Sequence, residues 1–348
     1  NGNLLAPYAA FCRHLINGNH YRLNAKRPFC SLKALLLDLW TTSREQVDVV
    51  YSNQYQDSCF GYALSCVKQV PFVCHLRLPY PNTLGWQSRM GMRGATRLIA
   101  VSEHTKNGWA RSGCVTDAID VVYNGIDPTA FSPTDSPASA RSQLNIAERG
   151  FTVGYVGRLD KTKGLATLIK GFAQVREANS DIQLVIAGKT RSDNAHYLTE
   201  LKSLAARLNV ADSVTFLGHV DTPALVYQSC DLAVLPSEWP EPCARTLIEA
   251  PSCGVPVLAS HVGGSPEVLT GLLSQGLFEP ANADSLAAKL QQHLGWRQQN
   301  PTLGKQCREH VLSQFTFNNT LAGVEKSLLK AVDSRLKAAS NFDLVGDR

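Results

Sequence analysis

No run of eighteen or more apolar residues occurs in the 348-residue sequence, so no segment reads as a membrane-spanning helix. The opening stretch, NGNLLAPYAAFCRHL, has no basic segment followed by a clean apolar one and does not read as a signal peptide. There is no C-x-x-C pair and no Cys/His cluster among the ten cysteines, which argues against a zinc finger or a dithiol redox site. They are scattered, several within apolar runs, and read as reduced thiols in a cytoplasmic protein. The sequence has no G-x-G-x-x-G after a first strand and no acid some twenty residues later, which sets aside a nicotinamide-dependent oxidoreductase. It also lacks an Asp-x-Asp metal motif and any basic stripe interleaved with aromatics, so neither a metal site nor a nucleic-acid partner is expected.

What is present describes an ordinary globular protein, 44% hydrophobic and 18% charged. Its length exceeds the usual size of one core, so two domains are expected. The formal charge of +5 is unevenly spread. Residues 1–97 hold eleven Lys/Arg against four Asp/Glu, a surplus of seven positive charges, suited to an acidic acceptor or to anionic lipid headgroups.

Short apolar runs alternate with helical patterns along most of the chain. VDVVYS at 47–52, VPFVCHL at 70–76, RLIAVS at 97–102 and IDVVYNGID form a first series, with helices expected over 4–16, over 31–43, in CFGYALSCVKQ and from Glu103. Near-continuous apolar strands separated by helices indicate a parallel sheet covered on both faces, with ligands at the strand carboxyl ends. From Pro128 to Gly150 the composition shifts to Pro, Ser, Thr and Asp and reads as a linker. A second series follows: FTVGYVG, LATLIKGFAQVREA, IQLVIAG, HYLTELKSLAARLN and VTFLG. The helices ADSLAAKLQQHL and LAGVEKSLLKAV finish the chain.

The densest stretch is DLAVLPSEWPEPCARTLIEAPSCGVPVLASHVGGSPE, from Asp231 to Glu267. It reads as strand, polar turn, helix from Ala244 to Cys253, strand, and a Gly-Gly turn opening another helix. Glu241 then lies just ahead of the helix and Glu249 about two turns into it. Small residues at Cys243 and Ala244 leave helix-terminal amides open to an anion. Two carboxylates flanking an anion pocket suit a ligand with phosphate in its middle and hydroxyls at both ends, such as a nucleotide sugar. A solvated glutamate pair is the ordinary alternative. In GRLDKTKG at 157–164, Arg158 and Lys163 lie five apart around a turn, so that both could reach one phosphate. His75 ends the VPFVCHL strand, where a Rossmann-like layer presents ligand groups.

The run EPCARTLIEA, then GVPVLAS and VGGSPEVL, with G-R-x-x-x-x-K-G after a strand and a strand ending in His, resembles the GT-B retaining glycosyltransferases, in particular the large family 4. The resemblance extends from about Asp48 to about Val332. It implies two Rossmann-like domains facing a cleft, with a final helix crossing back to the first. The boundaries expected are 1–130 for the acceptor-side domain, 131–149 for the linker, 150–314 for the nucleotide-sugar-binding domain and 315–336 for the returning helix. Family members begin with a strand and a glycine-rich loop. No such pattern precedes Asp48, so either that part lies outside this sequence or the protein departs from the family.

The resemblance also implies the roles. Arg158 and Lys163 hold the donor diphosphate and stabilise its charge as the sugar leaves, without a metal cofactor. Glu249 accepts from the ribose hydroxyls, and Glu241 holds hydroxyls of the transferred sugar. The amides of Cys243 and Ala244 meet sugar and phosphate, although the family often has Phe-Gly there. Gly188 and the VTFLGHV strand end lie against the base, Thr246 lies near the diphosphate, and Gly157 and Pro242 complete the donor-binding set. His75 sits near donor sugar and acceptor hydroxyl. Lys163→Ala and Glu241→Ala are expected to abolish transfer with the fold intact. The expected partners are a nucleotide sugar and a glycan or lipid-linked acceptor in envelope polysaccharide synthesis. The expected location is the cytoplasm, with peripheral contact at the inner face of the membrane. A GT-B relative that binds a nucleotide sugar without transferring it, or an epimerase, is the alternative reading.

Overall fold

A computed structural model describes residues 10, 12–16, 28–113, 118–148, 150–190 and 196–343, with side chains as far as 335. The expected helix over 4–16 falls largely outside them. By its contacts the chain divides into two units. One comprises residues up to Ala100, Lys106–Val121 and the stretch from Val324 onward, the other Val101–Thr105 and Val122–Gly323.

The first unit is built on four parallel strands in spatial order β1-β2-β3-β4: Val50–Ser52, Phe72–Leu76, Arg97–Ala100 and Ile119–Val121. All five residues of β2 are buried, as expected of an apolar run inside a parallel sheet. The helix Pro28–Thr42 precedes β1, and Ser58–Lys68, Trp86–Arg93 and Glu103–Ala110 occupy the intervals between strands. The short helix Trp86–Arg93 (WQSRMGMR), whose average composition is polar, was not expected from the sequence. Among the described residues no strand precedes β1.

The second unit carries six parallel strands in order β10-β9-β8-β5-β6-β7. In chain order β5 to β10 are Phe151–Val156, Ile182–Ala187, Val214–Gly218, Leu232–Leu235, Val257–Ser260 and Leu277–Phe278. Strand β5 pairs with both β6 and β8, so the winding direction reverses there. That switch point is where parallel sheets open a crevice at their carboxyl ends. Two buried clusters pack against this sheet, one including Leu247, Ile248 and Val311, the other Leu168, Phe172 and Leu286.

Residues 131–149, expected to be a linker, group with the second unit. They contain the helix Pro137–Gln143, started by Ser136, whose hydroxyl accepts from the Ser139 amide at 3.2 Å. On that helix Arg141 is 6% exposed. Its guanidinium donates to Asp231 Oδ2 at 2.6 Å and to the carbonyls of Ser229, Glu148 and Gly150. The polar composition that suggests a linker thus hides one buried side chain that makes four hydrogen bonds.

The ending also differs from expectation. A helix over Leu303–Gln314 was not anticipated, and the last helix runs Phe317–Asp343, longer than LAGVEKSLLKAV. Its residues up to Gly323 group with the second unit and those from Val324 with the first. Lys330 Nζ lies 2.8 Å from Asp120 Oδ1, and Arg97 holds the same carboxylate through two bonds of 3.1 Å.

Candidate functional site

Three loops of the second unit meet at the carboxyl ends of β5, β8 and β9. The first, Gly157–Gly164, is shaped by Asp160, whose Oδ1 accepts from the Thr162 amide at 3.0 Å and its hydroxyl at 2.6 Å. The Thr162 carbonyl then accepts from the amides of Glu238 and Trp239, at 2.9 and 3.2 Å, tying this loop to the one after β8. Gly164 closes the turn at φ +66°, and a Cβ there would lie 1.8 Å from the Pro236 carbonyl oxygen. The third loop carries Gly263 and Gly264. A Cβ on the first would lie 2.2 Å from the Glu241 carbonyl oxygen, and one on the second 2.3 Å from that of Pro242. The Gly-Gly turn therefore lets this backbone press against Glu241, and Gly264 donates its amide to the Glu241 carbonyl at 2.7 Å.

Gly164→Ala combines backbone strain with a steric overlap and is expected to cost about 2–4 kcal/mol. Gly218 has φ +72° but open space around it, so Gly218→Ala is expected to cost about 1 kcal/mol. Thermal melts of the two variants test the difference.

Within this frame Lys163 and Glu241 come together. Lys163 Nζ forms an ion pair with Glu241 Oε1, and Ser237 Oγ donates to the same oxygen at 2.7 Å. Glu241 Oε2 has no partner among the described residues. Lys163 also lies 5.7 Å from the centroid of the Trp239 ring. Ser237 was missed from sequence because a lone serine in a turn carries no pattern.

Glu249 is placed differently from expectation. The helix runs Thr246–Ser252, so Glu249 is in its first turn, not two turns in, and Glu241 is five residues before it. Pro242 and the irregular backbone from Glu241 to Ala244 delay the helix start. Cys243 and Ala244 accordingly do not form the helix N-terminus. Cys243 is buried, and its carbonyl accepts from Asn124 Nδ2 at 3.1 Å. The amides of Cys243 and Ala244 make no hydrogen bond among the described residues. Glu249 is itself buried, with Oε2 accepting from the Tyr227 hydroxyl at 2.9 Å and Oε1 facing Arg245 Nε at 2.9 Å. Burial raises its pKa, while Arg245 and Tyr227 pull it back. Thr246 is buried and donates to the Val156 carbonyl at 3.3 Å.

Gly157, Arg158 and Gly188 line a cavity of about 400 Å³ together with Lys189, Thr190 and His219. Gly188, at φ +148°, leaves 1.8 Å between its hypothetical Cβ and the Gly157 carbonyl oxygen. Only glycine allows the ends of β5 and β6 to touch here. Arg158 is exposed and has no ion-pair partner among the described residues.

His75, in the first unit, is 1% exposed. Its Nδ1 lies 2.5 Å from the Tyr51 hydroxyl, and its Nε2 is buried with no partner among the described residues. Burial and the nearby Arg77 charge push its pKa down to about 3, so the ring is neutral. Tyr51 escaped the sequence reading, since only strand pairing brings it beside His75.

No helix among the described residues is long and apolar enough to cross a membrane. None of their cysteines is paired, and six of them are buried.

Comparison with known proteins agrees with this architecture. The family model described as Glycosyl transferases group 1 matches residues 138–310, and that described as Glycosyltransferase Family 4 matches residues 9–130. D-inositol 3-phosphate glycosyltransferase of Salinispora arenicola is 32% identical over 222 residues, covering 59% of this chain and 48% of the relative. Lipopolysaccharide 1,2-N-acetylglucosaminetransferase of Salmonella typhimurium is 28% identical over 218 residues, covering 61% and 56%. The chain thus spans about half the length of these curated relatives. Among solved structures, Anabaena HepE in complex with UDP and glucose superposes with a TM-score of 0.74 at 23% identity, covering 93% of this chain and 84% of that one. Two parallel α/β units matched in turn by these two family models, with GT-B relatives over nearly the whole chain, establish that the chain belongs to the family 4 glycosyltransferases of GT-B fold.

Proposed function

We propose that this chain transfers a sugar from a nucleotide-diphosphate sugar to an acceptor hydroxyl, with retention at the anomeric carbon and without a metal. The observation that carries the reading is the Lys163–Glu241 pair, held on loops at the sheet switch point beside the Gly157–Arg158–Gly188 cavity. A diphosphate laid across Arg158 and the open amides of Cys243 and Ala244 draws Lys163 from its carboxylate partner. Glu241 is then free to accept from sugar hydroxyls through both oxygens. The two cations stabilise charge growing on the leaving phosphate, the task a metal performs in other transferases. The base lies in the cavity against Gly157 and Gly188, and Glu249 accepts from the ribose hydroxyls. No carboxylate is assigned as a nucleophile. The leaving phosphate takes the acceptor proton on the same face of the sugar, which gives retention.

Solved relatives bound to UDP support a uridine donor as the first to test. The relative that acts on lipopolysaccharide supports a glycan or lipid-linked acceptor in envelope polysaccharide synthesis. The basic surplus in residues 1–97 supports peripheral contact with anionic lipid, and the scattered, unpaired cysteines support a cytoplasmic location.

A thermal-shift panel of UDP, GDP, ADP and their sugar conjugates tests the site. A ligand at a hundredfold its Kd adds about 2.7 kcal/mol of stability, and one nucleotide is expected to raise the melting temperature equally with EDTA or magnesium. Glu249→Ala is expected to remove the rise. If none of the nucleotides raises the melting temperature the site is overturned, and a rise that needs magnesium overturns its metal independence.

A further inference from the structure

Glu267, in the run VGGSPEVL, has no part in the reaction as read above. Its carboxylate nevertheless gathers three donors that lie 144 to 164 residues earlier in the chain. Oε2 accepts from the Glu103 amide at 2.7 Å and from the Tyr123 hydroxyl at 3.0 Å, and Oε1 accepts from the His104 amide at 2.6 Å. Ser102 Oγ takes the next amide, that of Thr105, at 3.1 Å. The helix Glu103–Ala110 thus has its first N–H groups satisfied, two of them by a carboxylate from another element. Burial and the Glu267 charge push the Tyr123 phenol up, so it keeps its proton and donates. Ser102, Glu103, His104, Tyr123 and Glu267 all group with the second unit.

The path from Glu267 to Glu241 is short. Glu267 sits in the helix Ser265–Val268, which starts directly after the Gly263–Gly264 turn. Gly264 gives its amide to the Glu241 carbonyl at 2.7 Å. A Cβ on Gly264 would lie 2.3 Å from the Pro242 carbonyl oxygen and 3.4 Å from Ser102 Cβ. The turn is therefore wedged between the Glu241–Pro242 backbone and the start of the Glu103–Ala110 helix, and the Glu267 carboxylate ties it to that helix. Asn124, next to Tyr123, donates from Nδ2 to the Cys243 carbonyl at 3.1 Å. Two adjacent residues of YNGID thus secure the turn and the stretch just after Glu241. Charge-assisted bonds of this kind are stronger than neutral ones.

We propose that Glu267 is a positioning residue: held by the Glu103 and His104 amides and the Tyr123 hydroxyl, it clamps the Gly263–Gly264 turn and so fixes the backbone of Glu241 against the donor sugar. The sugar-facing part of this role rests on the transferase reading. The clamp itself belongs to the free chain.

Amide hydrogen exchange of the full chain, followed by NMR, tests the clamp. Glu267→Gln keeps the shape but sets an NH2 group among donors, which leaves buried donors unpaired. In this variant the amides of Glu103, His104 and Gly264 are expected to exchange about tenfold faster or more, with those inside β5 and β6 unchanged. Turnover with a sugar nucleotide is expected to fall roughly ten- to a hundredfold, as a small misplacement of Glu241 would produce. The Kd of whichever of UDP, GDP and ADP binds the wild type is expected to stay within about twofold. Should Glu267→Gln not fold, Tyr123→Phe removes one donor of the three and is expected to show the same pattern at a few-fold size. Unchanged exchange at Gly264 overturns the clamp. Faster exchange with undiminished turnover overturns the positioning role. So does a loss of nucleotide affinity as large as the loss of turnover, which marks a merely structural residue. A wild-type chain that binds none of the three nucleotides and transfers no sugar sinks the transferase reading, while the exchange result still decides the clamp.

Discussion

Lys163→Ala is expected to lower the turnover number about 100- to 1000-fold, equivalent to about 2.7–4 kcal/mol of transition-state stabilisation. The lysine is assigned the charge that grows on the leaving diphosphate, and that interaction is strongest as the bond to the sugar breaks, so turnover suffers more than donor affinity. The structure adds a consequence that the sequence did not suggest. Lys163 and Glu241 have side chains only 13% and 8% exposed, so removing either leaves a charge with little access to water. Each single alanine variant is expected to lose about 2–3 kcal/mol of stability, somewhat less than a fully buried pair would. The expectation of an intact fold therefore becomes one of a folded but lower-melting protein. The double variant Lys163→Ala/Glu241→Ala is expected to regain part of the melting temperature, because no orphaned charge remains, while turnover does not recover above that of Lys163→Ala. Steady-state kinetics and melts of the three variants check both parts. Wild-type turnover in Lys163→Ala removes the assignment of the site. Wild-type melting of both single variants shows the pair to be solvent-screened.

Arg141→Ala is the substitution with the largest expected effect on stability, about 3–5 kcal/mol. It strips Asp231 of the 2.6 Å ion pair on Oδ2 and leaves the carbonyls of Ser229, Glu148 and Gly150 without this donor. Asp231 Oδ2 also accepts from the Thr152 amide at 2.8 Å, and Trp296 Nε1 donates to the Asp231 carbonyl at 2.8 Å. The arginine thus joins the helix Pro137–Gln143 to the starts of β5 and β8. Arg297, 2.9 Å from Asp231 Oδ1, is 43% exposed along its side chain and too screened to substitute for it. Urea unfolding followed by tryptophan fluorescence should show an earlier transition. An unchanged midpoint would return residues 131–149 to the status of a linker. Since the chain has two units, the transition that moves is expected to be only one of two.

The division between legible and illegible follows from the range of the forces involved. Apolar runs such as FTVGYV, IQLVIA and LAVL become parallel strands wherever a sheet is covered on both faces, because burial is decided within the run itself. The alternation of such runs with helices therefore determined two Rossmann-like units from sequence alone. Motif spacing and the family resemblance likewise marked Lys163, Glu241 and Glu249 as candidates for one site, and the fold brings the first two together. Their partners were decided only in three dimensions. Which anion sits against Lys163, that Ser237 shares it, that Tyr227 and Arg245 hold Glu249, and that Tyr51 meets His75 all depend on strand order and loop approach between residues far apart in the chain. Arg141 shows the same limit most plainly. Within PASARSQ it is one basic residue in a polar segment. Ninety residues away Asp231 opens β8, and only their meeting across the folded unit turns a solvated charge into a buried tie.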